Sequence, residues 1–472
     1  MIDYATRYLP TLSVQTERTN LLNRQILEID KNNNEKLHES ELAEYLTEVL
    51  PCYCVGEKIF FYNQLNGSYE RVSDRRFKRI VTAYLRSFVP KARHSTKLSI
   101  VLDKSLAFAP EKESATPNVR YIAFTNCTID IIKRKKCAHS PKHFATNVIP
   151  HPYVKDADCP IFKDALDTIF AHDAATISAF WEMMGYLFYY GNRYPLQKIF
   201  IFHGAGSNGK SLILDVIRYM LGGDNYASAR LDEISSDFGA SHFYGKMLNI
   251  SPETELSAPA NTALLKSITG GDSVTTNFKH ESTFSAQHFT KFIISANNLF
   301  PMTDTSHGMF RRLQIFPFDQ TFVEPPLNDE DRIEGVLYSD ADLLEKIKPE
   351  VSGIINNALK GLFRLQKNKW KMTQSTACTL SLQAIIKAFN PFRAFIEEHL
   401  QVSPGDTALR PKVIEEFYNY QQEVQLGQAY RHYSREDVGK NILQELQKMY
   451  PQSQITVRKT GGVYIYDNVK LV

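Results

Sequence analysis

The 472-residue sequence predicts an α/β fold organised around a strand, a glycine loop and a helix, and three observations carry that prediction. The stretch "KIFIFHGAGSNGKSLILDVIRYML" passes from an apolar strand pattern, through the octet Gly204–Ser211, into a helical pattern. Three further short apolar runs, "KMLNIS", "FTKFIIS" and "LQIFPF", follow it and read as strands with polar residues at their ends. The tail, from Asn390 to Val472, reads as three helices and a β-ribbon.

Composition bounds the rest. With 43% hydrophobic residues the chain has apolar material for about two or three domains with cores of their own. No uninterrupted apolar run approaches the roughly 18 to 20 residues that cross a bilayer. The opening "MIDYATRYLPTLSVQTERTN" also lacks the basic-then-apolar pattern of a secretory signal. A soluble, cytoplasmic protein without a membrane partner is expected. The six cysteines, Cys52, Cys54, Cys127, Cys137, Cys159 and Cys378, show no paired metal-ligand spacing and read as reduced bystanders. Cys52 and Cys54 fit a half-buried strand better than a zinc site.

Residues 1–120 read as a mixed α/β region, with helices in "ESELAEYLTEVL" and "RRFKRIVTAYLRSFV". Within it, "DKNNNEKLHESE" imitates a calcium loop, but Glu35 stands where the sharp turn needs glycine. It reads instead as a polar turn, with Ser40 capping the next helix. From Arg71 to Lys104 the chain carries Arg71, Arg75, Arg76, Lys78, Arg79, Arg86, Lys91, Arg93, Lys97 and Lys104 against Asp74 and Asp103 alone. Such a strip either follows a phosphate backbone or is a solvated helix face. Residues 121–195 combine short β-type runs, "YIAFTN" and "TIDIIKRKK", with a helix pair in "PIFKDALDTIFAHDAATISAFWEMMGYLFYY". Residues 196–320 hold the glycine loop and its strands, 321–389 a helical connector, and 390–472 the tail.

The octet Gly204, Ala205, Gly206, Ser207, Asn208, Gly209, Lys210, Ser211 fits G-x-x-x-x-G-K-S, a phosphate cradle. Its glycines let backbone N–H groups converge on a β-phosphate, Lys210 reaches the β/γ oxygens, and the Ser211 hydroxyl can hold Mg²⁺. ATP with Mg²⁺ is the expected ligand. Hydrolysis needs acidic groups at a neighbouring strand end, and "LNISPETE" supplies Glu253 and Glu255 for magnesium and for polarising water, in either order. Asn297 and Asn298 end the next strand, where a γ-phosphate or water could be sensed. Arg311 or Arg312, before "LQIFPF", could reach the phosphates of a neighbouring subunit's nucleotide.

In this order the motifs resemble those of the superfamily 3 helicases, and among them the poxvirus-type and phage or plasmid primase-helicases. "GAGSNGKS", "LNISPETE", "LLKSITGGDSVT", "IISANN" and "FRRLQIFPF" are similar to that family's successive motifs, and "NCTIDI", "SPKHFATNVIP" and "DADCPIFKDALDTIF" to the helical domain before its motor, so the likeness spans about Asn126 to Phe318. The resemblance implies a P-loop AAA+ ATPase core with a C-terminal winged helix. It also implies a ring, most simply a hexamer, since an arginine finger acts across a subunit boundary. The family's channel hairpin corresponds to "SVTTNFKHESTF", which would present Lys279 and His280 to single-stranded DNA. Two departures stand out: "PETE" lacks the aspartate many members carry, and the N-terminal region is too short for the priming domain of many relatives.

In the tail, Arg435 and Lys440 would bring the third helix to a major groove and Arg458 and Lys459 would set the ribbon against phosphates, unless the module contacts protein. The expected function is therefore an ATP-dependent DNA helicase without priming activity of its own. It would resemble the replication proteins of mobile genetic elements such as staphylococcal pathogenicity islands, with single-stranded, forked or duplex DNA and a polymerase, primase or loader as partners. An initiator that uses ATP only to assemble is the alternative, and a small-molecule kinase built on the phosphate loop is a further one.

Overall fold

In the computed structural model the described residues are 7–9, 13–55, 58–92, 96–112, 116–191, 196–234, 236, 238–252, 262–278, 283–297, 307–326, 328, 331–423 and 433–472. The chain opens with α1 (Val14–Asn23), the ribbon β1 (Leu27–Ile29) and β2 (Glu35–Leu37), and α2 (Glu39–Val49). An antiparallel sheet of β3 (Cys52–Val55), β4 (Lys58–Asn63) and β5 (Ser68–Val72) follows, then α3 (Asp74–Phe88) and α4 (Leu98–Phe108). The polar turn between β1 and β2 is held by Asp30, whose carboxylate accepts from the backbone N–H groups of Asn32 and Asn34 at 2.8 and 2.7 Å.

Two sequence expectations are corrected here. Ser40 does not cap α2, which starts one residue earlier, after His38, with no side-chain cap. Glu39 and Glu41 lie in its first turn and suit the positive helix end instead. Cys52 and Cys54 lie on β3, but that strand is buried on both faces, and burial pushes the two thiols up to about 12 and about 11. On α3 the buried residues Phe77, Ile80, Val81, Tyr84, Leu85 and Phe88 follow the helical period, so Arg75, Arg79 and Arg86 face outward.

The middle of the chain builds a four-stranded sheet from β6 (Tyr121–Phe124), β7 (Cys127–Asp130), β8 (Lys135–Cys137) and β9 (Val148–Ile149). Helices α5 (Pro160–Ile169) and α6 (Ala174–Tyr186) follow it. A five-stranded sheet comes next, from β10 (Ile199–His203), β11 (Tyr226–Ala227), β12 (Leu248–Ser251), β15 (Lys291–Ala296) and β16 (Leu313–Pro317). Its order is β11-β12-β15-β10-β16 and every pairing is parallel. Helix α7 (Lys210–Leu221) connects β10 to β11, α8 (Ala263–Gly270) follows β12, and β13 (Ser273–Thr276) pairs with β14 (Phe284–Gln287) as a separate antiparallel hairpin. β10 lies between β15 and β16 and is apolar on both faces, as expected of a parallel strand covered by helices.

Beyond the sheet, α9 (Val351–Lys367) returns to pack along α6, and α10 (Thr376–Phe389) packs on β16 through Leu382, Ile385 and Ile386. The α6–α9 approach is close. A Cβ on Gly361 would stand 2.0 Å from the Trp181 carbonyl oxygen. The fully buried Glu182 carboxylate joins the same contact, accepting from Arg364 Nε at 2.6 Å and from the Thr373 backbone N–H at 2.7 Å.

The tail comprises α11 (Pro391–His399), β17 (Leu400–Leu409), α12 (Arg410–Glu423), α13 (Arg435–Met449), β18 (Val457–Thr460) and β19 (Val463–Leu471). Its sheet order is β17-β19-β18. Strand β17 is an addition to the sequence reading, because "VSPGDT" has turn chemistry. The structure accommodates it as a register shift between Val402 and Thr407.

Removing one partner of a buried, hydrogen-bonded charge pair leaves the other uncompensated. Arg364→Ala, which leaves the fully buried Glu182 carboxylate without its ion-pair partner, is expected to lower unfolding stability by roughly 3 kcal/mol. Urea denaturation checks this, and a loss below about 1 kcal/mol would mean the contact is mainly apolar.

Candidate functional site

The C-terminal ends of β10, β15 and β16 arrive together, with His203 in register with Ala296 and with Pro317. Gly204 leaves β10 there, its N–H donating to the Ala296 carbonyl at 3.2 Å. A Cβ on Gly204 would come within 2.2 Å of the Phe318 carbonyl oxygen, so the loop can follow this path only with glycine. Asn208 is buried and its amide donates to that same Phe318 oxygen at 3.0 Å.

Lys210 is also buried. Its ammonium donates to Gly204 O at 2.5 Å, Ala205 O at 3.0 Å and Asn208 Oδ1 at 3.0 Å, which holds it along the inside of the loop. Gly209, at φ +86°, is the N-cap of α7 and has no side chain to cap its first turn. Backbone donors without a side-chain cap, a helix N-terminus and an inward cation fit a phosphate group. Ser211, exposed in that first turn, offers a hydroxyl oxygen of the kind Mg²⁺ accepts.

Two neighbours were missed in the sequence. His203 ends β10, where burial lowers its pKa and Asp319, just past β16, opposes the shift. Their positions at strand ends were the available signal. Asn297 directly follows Ala296 and so sits beside Gly204 at the same edge. β12 ends at this edge too, Ser251 pairing with Ile294 of β15. Glu253, Glu255 and Asn298, like Lys279 and His280, lie outside the described residues. On β12, Asn249 and Ser251 are fully buried and turned to the Ala229 backbone, to whose carbonyl oxygen each donates at 3.0 Å.

Arg311 and Arg312 precede β16, whose first residue Leu313 is in register with Ile199 at the start of β10. About four to five residues of strand rise, roughly 15 Å, therefore separate them from the glycine loop of their own chain. The structure also distinguishes them. Arg312 donates to Gly308 O at 2.7 Å and to Thr269 Oγ1 at 3.2 Å, whereas the Arg311 side chain is exposed and its carbonyl accepts from Lys198 Nζ at 2.7 Å.

Further surfaces surround this core. At the tip-ward end of the β13–β14 ladder, Phe278 stacks on Phe284 with centroids 6.0 Å apart and planes 16° apart. In the tail, Arg435 and Lys440 are exposed on α13, with Glu436 and Asp437 in the same first turn. Arg458 donates to Asp467 Oδ1 at 2.8 Å across the ribbon, and Lys459 Nζ stands 5.6 Å from the Tyr464 ring centroid. Among the described residues no cluster of three or more His, Cys, Asp or Glu could hold a metal ion, and no helix is long and apolar enough to cross a membrane.

Comparison with known proteins finds two family matches. Residues 42–171 match the "D5 N terminal like" family, and residues 202–312 match a family of unknown function, DUF5906. The Acanthamoeba polyphaga mimivirus protein named "Putative helicase L207/L206" is 27% identical over 187 residues, 36% of this chain and 19% of that protein. "Putative helicase 022R" of Frog virus 3 (isolate Goorha) is 23% identical over 228 residues, 45% of this chain and 23% of that protein. The chain thus spans about a fifth of the length of these relatives. Among solved structures, the A form apo structure of the NrS-1 C-terminal region aligns over 90% of this chain and 97% of that one, at a TM-score of 0.50 and 14% identity, a likeness of fold.

Lys198 links this geometry to pH. Burial, together with the Arg311 charge, pulls its pKa down to about 8. Between that value and the ordinary lysine value, the unfolded chain binds a proton that the folded chain has released, so this group makes stability rise with pH across that window. Lys198→Met is expected to remove that share of the rise. Urea unfolding of both proteins at pH 7.5 and pH 9.5 measures it, and an equal gain in the two would exclude Lys198 as its source.

Proposed function

We propose that the chain is the motor of an ATP-dependent DNA helicase serving replication. The observation that carries this reading is the glycine loop at the C-terminal edge of a parallel sheet, with buried Lys210 inside it and Asn297 alongside. The D5 N-terminal-like match and the helicase-named viral relatives support it. In this reading residues 196–320 are a P-loop AAA+ core of the superfamily 3 type.

Gly204 to Ser211 bind the ATP phosphates, Lys210 meets the β/γ oxygens, and Ser211 with Glu253 or Glu255 holds Mg²⁺. The metal, when bound, neutralises phosphate charge as it develops. Glu253 or Glu255 also orients the attacking water, and Asn297 senses the γ-phosphate. Arg311 acts on the nucleotide of an adjacent copy. Its exposed side chain favours it over Arg312, which Gly308 and Thr269 take up, and a position far from its own loop supports a role in trans and a ring. Lys279 and His280 at the hairpin tip follow a single strand.

The tail's order of helix, strand, two helices and ribbon supports a winged helix, with Arg435 and Lys440 as its DNA-facing cations. Lys459 would add a phosphate contact, while the Asp467 partner weakens the case for Arg458.

Lys210→Ala is expected to lower ATP turnover about 100-fold or more, since charge stabilisation at the transferring group is lost. Circular dichroism should show an unchanged fold, and near-normal turnover would remove the loop from the mechanism. Arg311→Ala should be similarly inactive alone, yet regain partial turnover when mixed with Lys210→Ala, because each mutant supplies what the other lacks across a subunit boundary. Recovery with Arg312→Ala and none with Arg311→Ala would reverse the assignment. Strand displacement on forked DNA tests unwinding itself.

A further inference from the structure

Four arginines gather where the N-terminal region meets the motor. Arg7, Arg75, Arg76 and Arg79 line a cleft of about 820 Å³, against two carboxylates, Glu70 and Asp224. Glu70 is already engaged: it receives Arg76 and Tyr8, lies 3.9 Å from Arg7, and its pKa is lowered. Arg75 and Arg79 are exposed and stand four residues apart on α3, so they share one helix face. Like charges at that spacing repel along a helix, by a few tenths of a kcal/mol. Arg76 Nε is buried with no hydrogen-bond partner among the described residues.

The arginine cleft does not end there. A second cavity of about 630 Å³ shares Glu70, Thr146, Asn147 and Gly245 with it. Its walls are aromatic, with Phe60 and Tyr69 from the N-terminal sheet facing Tyr244, Phe278 and Phe284 from the motor. Tyr244 meets both Phe278 and Phe284 edge-on, at 5.9 and 5.4 Å between centroids, and Arg71 lies 6.0 Å over the Phe278 ring. The floor is rigid. Asn147 donates to Asn225 Oδ1 at 2.9 Å and to Gly245 O at 2.8 Å, and the Tyr69 N–H donates to Ala145 O at 2.7 Å.

We propose that this continuous cleft binds a single strand of nucleic acid, with phosphates along Arg75 and Arg79 and unpaired bases against Tyr244 and Phe284. A cationic groove leading into aromatic faces is the chemistry that single strands select, because every free base has a π-face and every linkage a charge. Paired bases in a duplex are stacked on each other and offer no such face. The course of the strand, toward the β13–β14 hairpin, rests on the helicase reading. The binding does not, since it needs no nucleotide.

The test uses the full chain carrying Lys210→Ala, without ATP, and a fluorescent oligothymidylate of about 20 nucleotides, long enough to cross such a groove. Adding Arg75→Glu and Arg79→Glu should weaken binding at least tenfold. It should also flatten the salt dependence by about 1.4 units of slope, for two single-strand phosphates at about 0.7 each. Ultraviolet crosslinking of a 5-bromouracil oligonucleotide should label peptides containing Tyr244 or Phe284, and the double substitution should abolish that label. Unchanged affinity and slope, crosslinks confined to 390–472, or equal competition by thymidine monophosphate would each overturn the proposal. In the chain with Lys210 intact, the double variant should keep its DNA-free ATP turnover. If that chain never unwinds DNA but the variant still loses the oligonucleotide, the cleft stands and the helicase reading falls.

Discussion

A buried lysine anchors the architecture. Lys291 opens β15, fully enclosed, and its ammonium donates to the carbonyl oxygens of Tyr189 and Gly191 at 2.9 Å each and of Phe289 at 2.5 Å, beneath the Tyr186 ring at 4.6 Å. Burial pulls its pKa well below the ordinary lysine value. An isolated buried cation is costly, and here the offset comes from carbonyl groups that follow α6. The lysine backbone meanwhile joins β12, pairing with Leu248. One residue therefore ties the end of the helix pair to the start of a central strand. Since β15 runs from Lys291 to Ala296 and Asn297 follows it directly, the same tie sets where the strand delivers its polar end.

From that anchor the two edges of the sheet acquire different chemistry. At the C-terminal edge the backbone crowds, and glycine at 204 lets the loop pass the Phe318 carbonyl. Lys210 is held there by three oxygens of the loop, which keeps its ammonium inside the turn. At the opposite edge Arg312 is absorbed into the fold while Arg311 is left outside. The glycine loop at one edge and the exposed Arg311 guanidinium at the other make the two edges of the sheet chemically unlike.

Helical packing joins segments that are distant in sequence. The segments 160–186 and 351–367 are far apart in sequence yet share a single core with β10 and α7. Gly361 on α9 and Gly185 on α6 permit backbone-level approach of the two helices, and the Glu182 carboxylate adds a charged hydrogen-bonded contact to it. On the N-terminal side a different device is used. Asn147 and Asn225 form a polar bridge rather than an apolar seam, and the arginine cleft opens next to it.

Local chemistry is legible in the amino-acid sequence by itself. The octet at Gly204, the apolar strands around it, the hairpin between Thr276 and Phe284, and the amphipathic helices of the tail all announce themselves through spacing within a few residues, because strand and helix periods are local properties. Helix and turn ends are less so: Ser40 has capping chemistry, but the helix begins before it, and "VSPGDT" has turn chemistry inside a bulged strand. What depends on distant partners is not legible at all. Nothing near Lys291 tells that its ammonium is buried on the carbonyls of Tyr189 and Gly191. Nothing in "FRRLQ" tells which arginine Gly308 and Thr269 take up. Arg7 joins Arg75 and Arg79 in one cleft across 68 and 72 residues of chain. Burial and charge environment are sums over neighbours in space, and those neighbours are assembled only when the chain closes on itself.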